Sequence, residues 1–253
     1  AGVASLPPQP TSAGDIIMPP PTHTMPSPDA PPASTAPPTL NLDSSGRPIT
    51  MRSCLSGTDR LLWMLANNAE LIKLIKTTKT ITPVHSCSKT PTCYNPVPRE
   101  KWSNNQITRR VRGTAGGDRV FVDYPASTNT APMMGVNCLL HATVSEDAFF
   151  GTLDLTDFYL GSPMPAPEFI IIHTALFSDQ LLVDLNITPY IQKDKSGKDF
   201  FYARVDKTMP GFRQAGLHAR EHVTSLLLKH GYYQTQPCMF THNTDPIFFA
   251  LVV

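Results

Sequence analysis

Gly151-Thr152-Leu153-Asp154-Leu155-Thr156-Asp157-Phe158-Tyr159-Leu160-Gly161 sets two acids, Asp154 and Asp157, among strand-forming apolar residues. The run from Phe149 to Leu155 predicts a β-strand with Asp154 near its end. Strands bury apolar side chains, and a carboxylate taken out of water needs a partner. Asp157 capping a turn while Asp154 pairs with a nearby arginine is one arrangement that meets this need. A hard-cation site is another: Mg²⁺ prefers oxygen ligands, keeps several waters, and takes one or two carboxylates together with substrate phosphates. Spacing alone leaves both open.

Working outward, Ile107 to Arg112 and Arg119 to Tyr124 flank Gly113-Thr114-Ala115-Gly116-Gly117-Asp118, which predicts a β-hairpin with a glycine-rich turn. A helix is predicted around Met133 to Val144, a strand over Glu168 to Ile172 and a helix over Leu176 to Leu185. Thr188 to Gln192 and Asp199 to Val205 flank the polar turn Lys193 to Lys198 and predict a second hairpin. Arg213 to His230 predicts a helix with Gly231 at its C-cap, and strands are predicted at Met239 to His242 and Pro246 to Val253. Near the start, Ser56 and Asp59 have capping-box spacing. Leu61, Leu62, Leu65, Ile72 and Ile75, with Met64, Leu71 and Leu74, recur with helical period and predict a helix that docks by this stripe. Thr77 to Trp102 predicts loop with a short strand near Thr80 to Val84. Strands and helices alternate without a regular βαβ rhythm, which predicts an α+β fold.

The chain has 253 residues, enough for a tail and one sizeable globular unit. Twelve of the 26 prolines fall within the first 40 positions, so residues 1 to 46 are expected to be a disordered linker and residues 47 to 253 the folded part. Pro19-Pro20-Pro21 and Pro37-Pro38 are also compatible with a ligand for proline-recognising domains. A net charge of +1 excludes chain-wide affinity for polyanions, but Arg99, Lys101, Arg109, Arg110, Arg112 and Arg119 face only Glu100 and Asp118 in their stretch. No apolar run approaches the roughly 18 residues that span a bilayer. Five cysteines without repeated spacing argue against a disulfide framework, and His85, Cys87 and Cys93 match no paired zinc-ligand pattern. No triad context or phosphate loop is evident. The closing run Ile247 to Val253 reads as a buried strand, so the sequence is expected to be part of a longer chain.

Leu153-Asp154-Leu155-Thr156-Asp157-Phe158-Tyr159-Leu160-Gly161-Ser162-Pro163, with Pro167-Glu168-Phe169-Ile170 behind it, resembles the first catalytic motif of reverse transcriptases encoded by LTR retrotransposons, closest to copia-like polyproteins. Arg109 to Arg119, continuing to Val122-Asp123-Tyr124-Pro125, is similar to the fingers hairpin of that family. Met209-Pro210-Gly211-Phe212-Arg213-Gln214-Ala215-Gly216, followed by Lys229-His230-Gly231-Tyr232, is similar to its third motif. The three stretches occur in the family's order, and the likeness spans roughly residues 40 to 253.

The resemblance implies the fingers and part of the palm of a right-hand polymerase, with a ferredoxin-like βαββαβ palm core. It implies RNA-directed DNA polymerase activity, with two Mg²⁺ ions as cofactors and a primer-template and a deoxynucleoside triphosphate as substrates. Asp154 matches the catalytic, metal-binding acid, and the Leu155 carbonyl a further metal ligand. Asp157, Phe158 and Tyr159 match positions beside the nucleotide, with the Tyr159 ring excluding a 2′ hydroxyl. Arg119 matches the arginine over the triphosphate and Arg112 a second basic contact. Gly211 and Gln214 match the third motif's contacts to the nascent pair, and Arg109 and Arg110 fall where nucleic acid runs. Integrase and ribonuclease H domains are the implied neighbours in a polyprotein. An intracellular particle is the implied location, and no membrane is involved. Pro210, Phe212 and Arg213 depart from the family pattern. The paired aspartates that complete the family's metal site are expected after Val253, so the chain as given is expected not to polymerise DNA.

Overall fold

A computed structural model of the chain describes residues 41–252 except Ser44, Asn104 and Phe121; residues 1–40, most of the expected linker, lie outside the described residues. The end of that expected linker is pinned. The Glu100 backbone N–H donates to Asn41 Oδ1 at 2.8 Å, and Leu42 and Pro48 form a β-bridge, so ordered contacts begin by Asn41 rather than at residue 47.

The first helix, α1 (Met51–Ser56), is capped reciprocally by Thr50 and Ser53, three residues apart. The capping box thus stands one element earlier than Ser56 and Asp59 predict. The second, α2 (Arg60–Ile72), runs on into one π-type turn, Lys73–Thr77. Of the expected stripe, one part turns inward and the rest faces out. Trp63, Asn67, Asn68, Glu70, Leu71 and Leu74 are buried, whereas Leu61, Leu62, Leu65 and Ile72 are exposed. The buried amides have specific partners: Asn67 Nδ2 donates to the Leu176 carbonyl at 2.9 Å, and Asn68 Nδ2 to Ser178 Oγ at 2.8 Å. The Glu70 carboxylate accepts from the Gly113 N–H at 2.9 Å. A period of 3.6 shows that a helix has two faces without showing which one the rest of the chain needs for hydrogen bonds.

The larger sheet has the order β1-β6-β4-β2-β3, with β5 also pairing to β6. Its members are β1 (Ile81–Val84), β2 (Thr92–Ser103), β3 (Gln106–Ala115), β4 (Pro163–His173), β5 (Gln192–Lys193) and β6 (Asp199–Lys207). Ile170, Ile172, Phe201, Ala203 and Val205 are fully buried at alternating positions of β4 and β6, and Leu71, Leu74, Ile187 and Met209 close over them. A second sheet, β7-β8-β9, comprises β7 (Tyr232–Gln236), β8 (Met239–His242) and β9 (Phe248–Ala250). Its own core joins Ala131, Cys238, Phe240 and Leu251. Three helices connect and cover these strands: α3 (Met133–Ser145), α4 (Asp179–Asp184) and α5 (Ala215–Lys229). The fold is therefore α+β, as expected. Its strands divide between two sheets and do not form one continuous βαββαβ layer.

The expected hairpin around Gly113 to Asp118 is displaced. Its first arm pairs backwards with β2, which the composition of Thr77 to Trp102 predicts as loop, and the described residues between Arg119 and Tyr124 form no strand. Pro96 and Pro98 are tolerated because they share one parity and turn their missing N–H away from β3; Glu100, of the same parity, is the residue whose N–H Asn41 takes. The expected strand over Phe149 to Leu155 is also absent: the segment is irregular and exposed. No described strand pairs with it, and unpaired backbone stays in water.

Candidate nucleic-acid interface

Antiparallel register fixes which side chains share a face of the β2–β3 hairpin. Arg99 stands opposite Arg110, Lys101 opposite Thr108, and Val97 opposite Arg112. Alternation therefore puts Arg99, Lys101, Arg110 and Arg112 on one face, all four exposed, with no acid among their cross-strand partners there. Like charges directly opposite each other repel, so this face gains from an anion laid across it. Arg109 has the other parity. Its guanidinium pairs with Asp59 and lies 5.8 Å from the Trp63 ring centroid, so Arg109 ties the hairpin to α2 and does not share the face of the other four cations.

The end of β3 meets the stretch before α5 backbone to backbone. The Ala115 N–H donates to the Pro210 carbonyl at 2.8 Å. Gly211 adopts φ +102°, and a Cβ on it would stand 2.1 Å from the Ala115 carbonyl oxygen; a Cβ on Gly117 would stand 1.9 Å from the Gly211 carbonyl oxygen. Only glycines allow that approach. The structure thus joins Gly211 to the end of β3, with Arg119 exposed nearby at the end of a 3₁₀ turn, Gly117–Arg119, while Arg112 lies back along β3 opposite Val97. Gln214 differs from expectation: it is buried, and its Oε1 has no hydrogen-bond partner among the described residues. The neighbouring Arg213 instead lines an open depression of about 410 Å³ with Val122, Tyr124, Ala126 and Ser127. The Tyr124 hydroxyl lies 3.0 Å from His218 Nε2 on α5, and His218 Nδ1 lies 3.4 Å from a Glu221 carboxylate oxygen. Partial burial, followed by the charges of Asp123, Glu221 and Glu168, holds the Tyr124 phenol above its ordinary pKa.

Asp154 is exposed in the irregular segment and has no hydrogen bond or ion pair among the described residues. A hydrated carboxylate needs no partner, and Asp154 is not the buried strand acid that its neighbours predict. Asp157 sits at φ +55° in the turn that follows, its carboxylate bound by Lys73 and its carbonyl accepting from the Gly161 N–H at 3.0 Å. Phe158 and Tyr159 are half-buried and pack edge to face with centroids 5.4 Å apart, and the Tyr159 carbonyl accepts from the Thr208 hydroxyl. The Tyr159 ring packs against the main core. Among the described residues, no three His, Cys, Asp or Glu side chains are grouped to hold a metal ion. Asp154 and the Leu155 carbonyl alone are too few ligands for a pair of Mg²⁺ ions.

Scans against family models, curated proteins and solved structures each return no match.

Arg99 and Lys101 enter the sequence only as members of a basic cluster, with no site assigned to them. Their signal is the alternation of basic residues at 99 and 101, which gains meaning only once β2 is known to be a strand. Arg213 and Tyr124 come together only through the tertiary path from β3 to α5.

Proposed function

We propose that this chain is a nucleic-acid-binding portion of an RNA-directed DNA polymerase, comprising the fingers and part of the palm of a retrotransposon-type enzyme. The observation that carries the reading is the Arg99, Lys101, Arg110 and Arg112 face of the hairpin, four exposed cations on one side of it, joined through Gly117 and Gly211 to the start of α5. In this reading the basic face holds template or primer phosphates. Arg119 and Arg213 lie toward the triphosphate, and the glycine contact keeps the hairpin end and α5 in fixed relation. Nucleotidyl transfer would use Mg²⁺, and the described residues do not supply its ligand set, so transfer is assigned to a polypeptide that adds carboxylates to Asp154. Other polyprotein domains are the natural neighbours of such a piece.

Binding is tested with a fluorescent primer-template duplex titrated at several salt concentrations. Affinity that falls steeply with salt, and that drops with Arg99→Glu and Arg110→Glu, supports the reading; salt-independent binding, or no binding, sinks it. Catalysis is tested by primer extension with a polypeptide lengthened by a carboxylate pair beyond Val253. Extension lost in Asp154→Asn supports the polymerase.

A second reading, a module that binds nucleic acid without catalysis, is favoured by the solvated position of Asp154. It predicts binding as above with no extension from the lengthened polypeptide.

A further inference from the structure

The β2–β3 hairpin is a two-stranded ribbon with unlike faces. β4 pairs with β2 only at Thr92 and Cys93, so from Tyr94 onward the ribbon extends past the larger sheet. One face is packed on α2, where the Gly113 N–H donates to Glu70 and Arg109 is held by Asp59 and Trp63. The two aromatic residues of the ribbon, Tyr94 and Trp102, share the parity of that packed face. The opposite face has neither a ring nor an acid at any paired position. Its cations stand on three successive rungs: Arg112 opposite Val97, Arg99 opposite Arg110, and Lys101 opposite Thr108. At about 6.8 Å per rung the four charges form a band roughly 14 Å long. Nothing else on those rungs is free to bond a base edge. Val97 is apolar, and the Thr108 hydroxyl donates to the Lys101 carbonyl at 3.0 Å. The side-chain amides of this face, Asn95 and Gln106, stand only on its outermost rungs, and the Thr114 hydroxyl beside Asn95 donates to the Asn95 carbonyl at 2.7 Å.

This chemistry separates the forms of nucleic acid. Surfaces that hold single strands without regard to sequence combine positive charge with aromatic rings on which the bases stack. A face without rings has charge alone to offer, and charge favours the denser polyanion. A double helix carries one phosphate per about 1.7 Å of axis, roughly twice the density of one strand. Contacts to phosphate position a protein on the duplex and carry no base sequence. Resting on the nucleic-acid reading above, we infer that the Arg99, Lys101, Arg110 and Arg112 face grips the phosphate backbone of a double helix, in preference to a single strand and without regard to base sequence.

The test uses the full 253-residue chain and labelled DNA of one length in three forms: an oligothymidine single strand, an A·T-only duplex and a G·C-only duplex. Binding is read by fluorescence anisotropy across a series of salt concentrations. Both duplexes are expected to bind at least about tenfold more tightly than the single strand and to agree with each other within about threefold. Arg99→Ala with Arg110→Ala, or Arg110→Ala alone if the pair misfolds, is expected to weaken duplex binding and to flatten the log–log salt slope by about 1 for each arginine removed. Trp102→Ala, on the packed face, should leave duplex affinity unchanged. A single strand bound as tightly as the duplexes overturns the inference and leaves the nucleic-acid reading standing. So does a G·C duplex preferred by about tenfold or more, because the arginines would then be reading guanine edges in the major groove. Duplex binding that the arginine variants leave intact also overturns it, since another surface would hold the helix. No binding to any of the three sinks the nucleic-acid reading itself, and this inference with it.

Discussion

Arg99 and Arg110 stand directly opposite each other across β2 and β3, two exposed guanidinium groups on one face. Arg109, one residue away, points to the other face and is held by Asp59 and Trp63. These neighbours should respond oppositely to truncation. Arg110→Ala relieves a like-charge pair and is expected to leave stability unchanged or raise it by up to about 1 kcal/mol, while weakening binding to a primer-template duplex and flattening its log–log salt slope by about 1. Arg109→Ala is expected to cost about 1–2 kcal/mol in urea unfolding and to leave that salt slope intact. A flattened slope for Arg109→Ala and not for Arg110→Ala would show that the basic face has been assigned to the wrong parity.

Gly211 separates two effects that glycine substitutions usually mix. At Gly211 the backbone has φ +102° and a Cβ would stand 2.1 Å from the Ala115 carbonyl oxygen; at Gly197, with φ +78°, nothing lies within 4 Å. Gly197→Ala should therefore cost only the left-handed strain, about 1 kcal/mol. Gly211→Ala adds a backbone overlap that no rotamer can relieve, and at least about 3 kcal/mol is expected. Urea midpoints for the two variants measure the difference. Equal losses would mean that the hairpin end and the start of α5 do not touch as described.

How far the sequence reveals this fold depends on which force decides each element. Met133 to Val144, Asp199 to Val205 and Arg213 to His230 match α3, β6 and α5 closely; β6 alternates in burial, and Gly231, at φ +83°, marks the end of α5. β2 is invisible locally: Pro96 and Pro98 argue against a strand, and only the free edge beside them makes it possible. In α2 and the turn after it the leucines divide, Leu71 and Leu74 buried and Leu61, Leu62 and Leu65 exposed, and the hydrogen bonds of Asn67, Asn68 and Glu70 share the inward side. The site divides in the same way. The basic cluster was legible as charge, and its single face needed a register. Asp154 was legible as an acid among strand formers, yet without a pairing strand the segment remains in water.

Tyr94 should give the chain a distinctive alkaline limit. Its phenol is almost fully buried, and burial, followed by the nearby Glu70 carboxylate, raises its pKa far above the ordinary value. In the unfolded chain the phenol titrates near 10. The folded pKa is the higher one, so the contribution is intact below about pH 10 and is lost as pH rises from there toward the folded value, at about 1.4 kcal/mol per pH unit. Denaturant titrations at pH 9, 10 and 11 should show Tyr94→Phe falling less steeply than the wild type by about that slope. Parallel pH profiles for the two proteins would mean that water reaches this hydroxyl.

Asn67 is fully buried between α2, β2 and the turn at Leu176, donating to the Leu176 carbonyl at 2.9 Å and accepting from the Tyr94 hydroxyl at 3.2 Å. On hydropathy, replacing it with leucine improves a core position; on hydrogen bonding, it orphans a carbonyl and a phenol at once. The second effect should win. Asn67→Leu is expected to destabilise by about 2–5 kcal/mol, since each stranded group costs about 1–3 kcal/mol. Removing the Tyr94 hydroxyl in the same chain deletes one of the two stranded groups, so Asn67→Leu with Tyr94→Phe should be more stable than the sum of the single losses predicts, by about 1 kcal/mol or more. Strict additivity in that double-mutant cycle, or a leucine variant that melts higher than the wild type, would show that the inward face of α2 is held by packing alone. The outward leucine stripe would then need another cause.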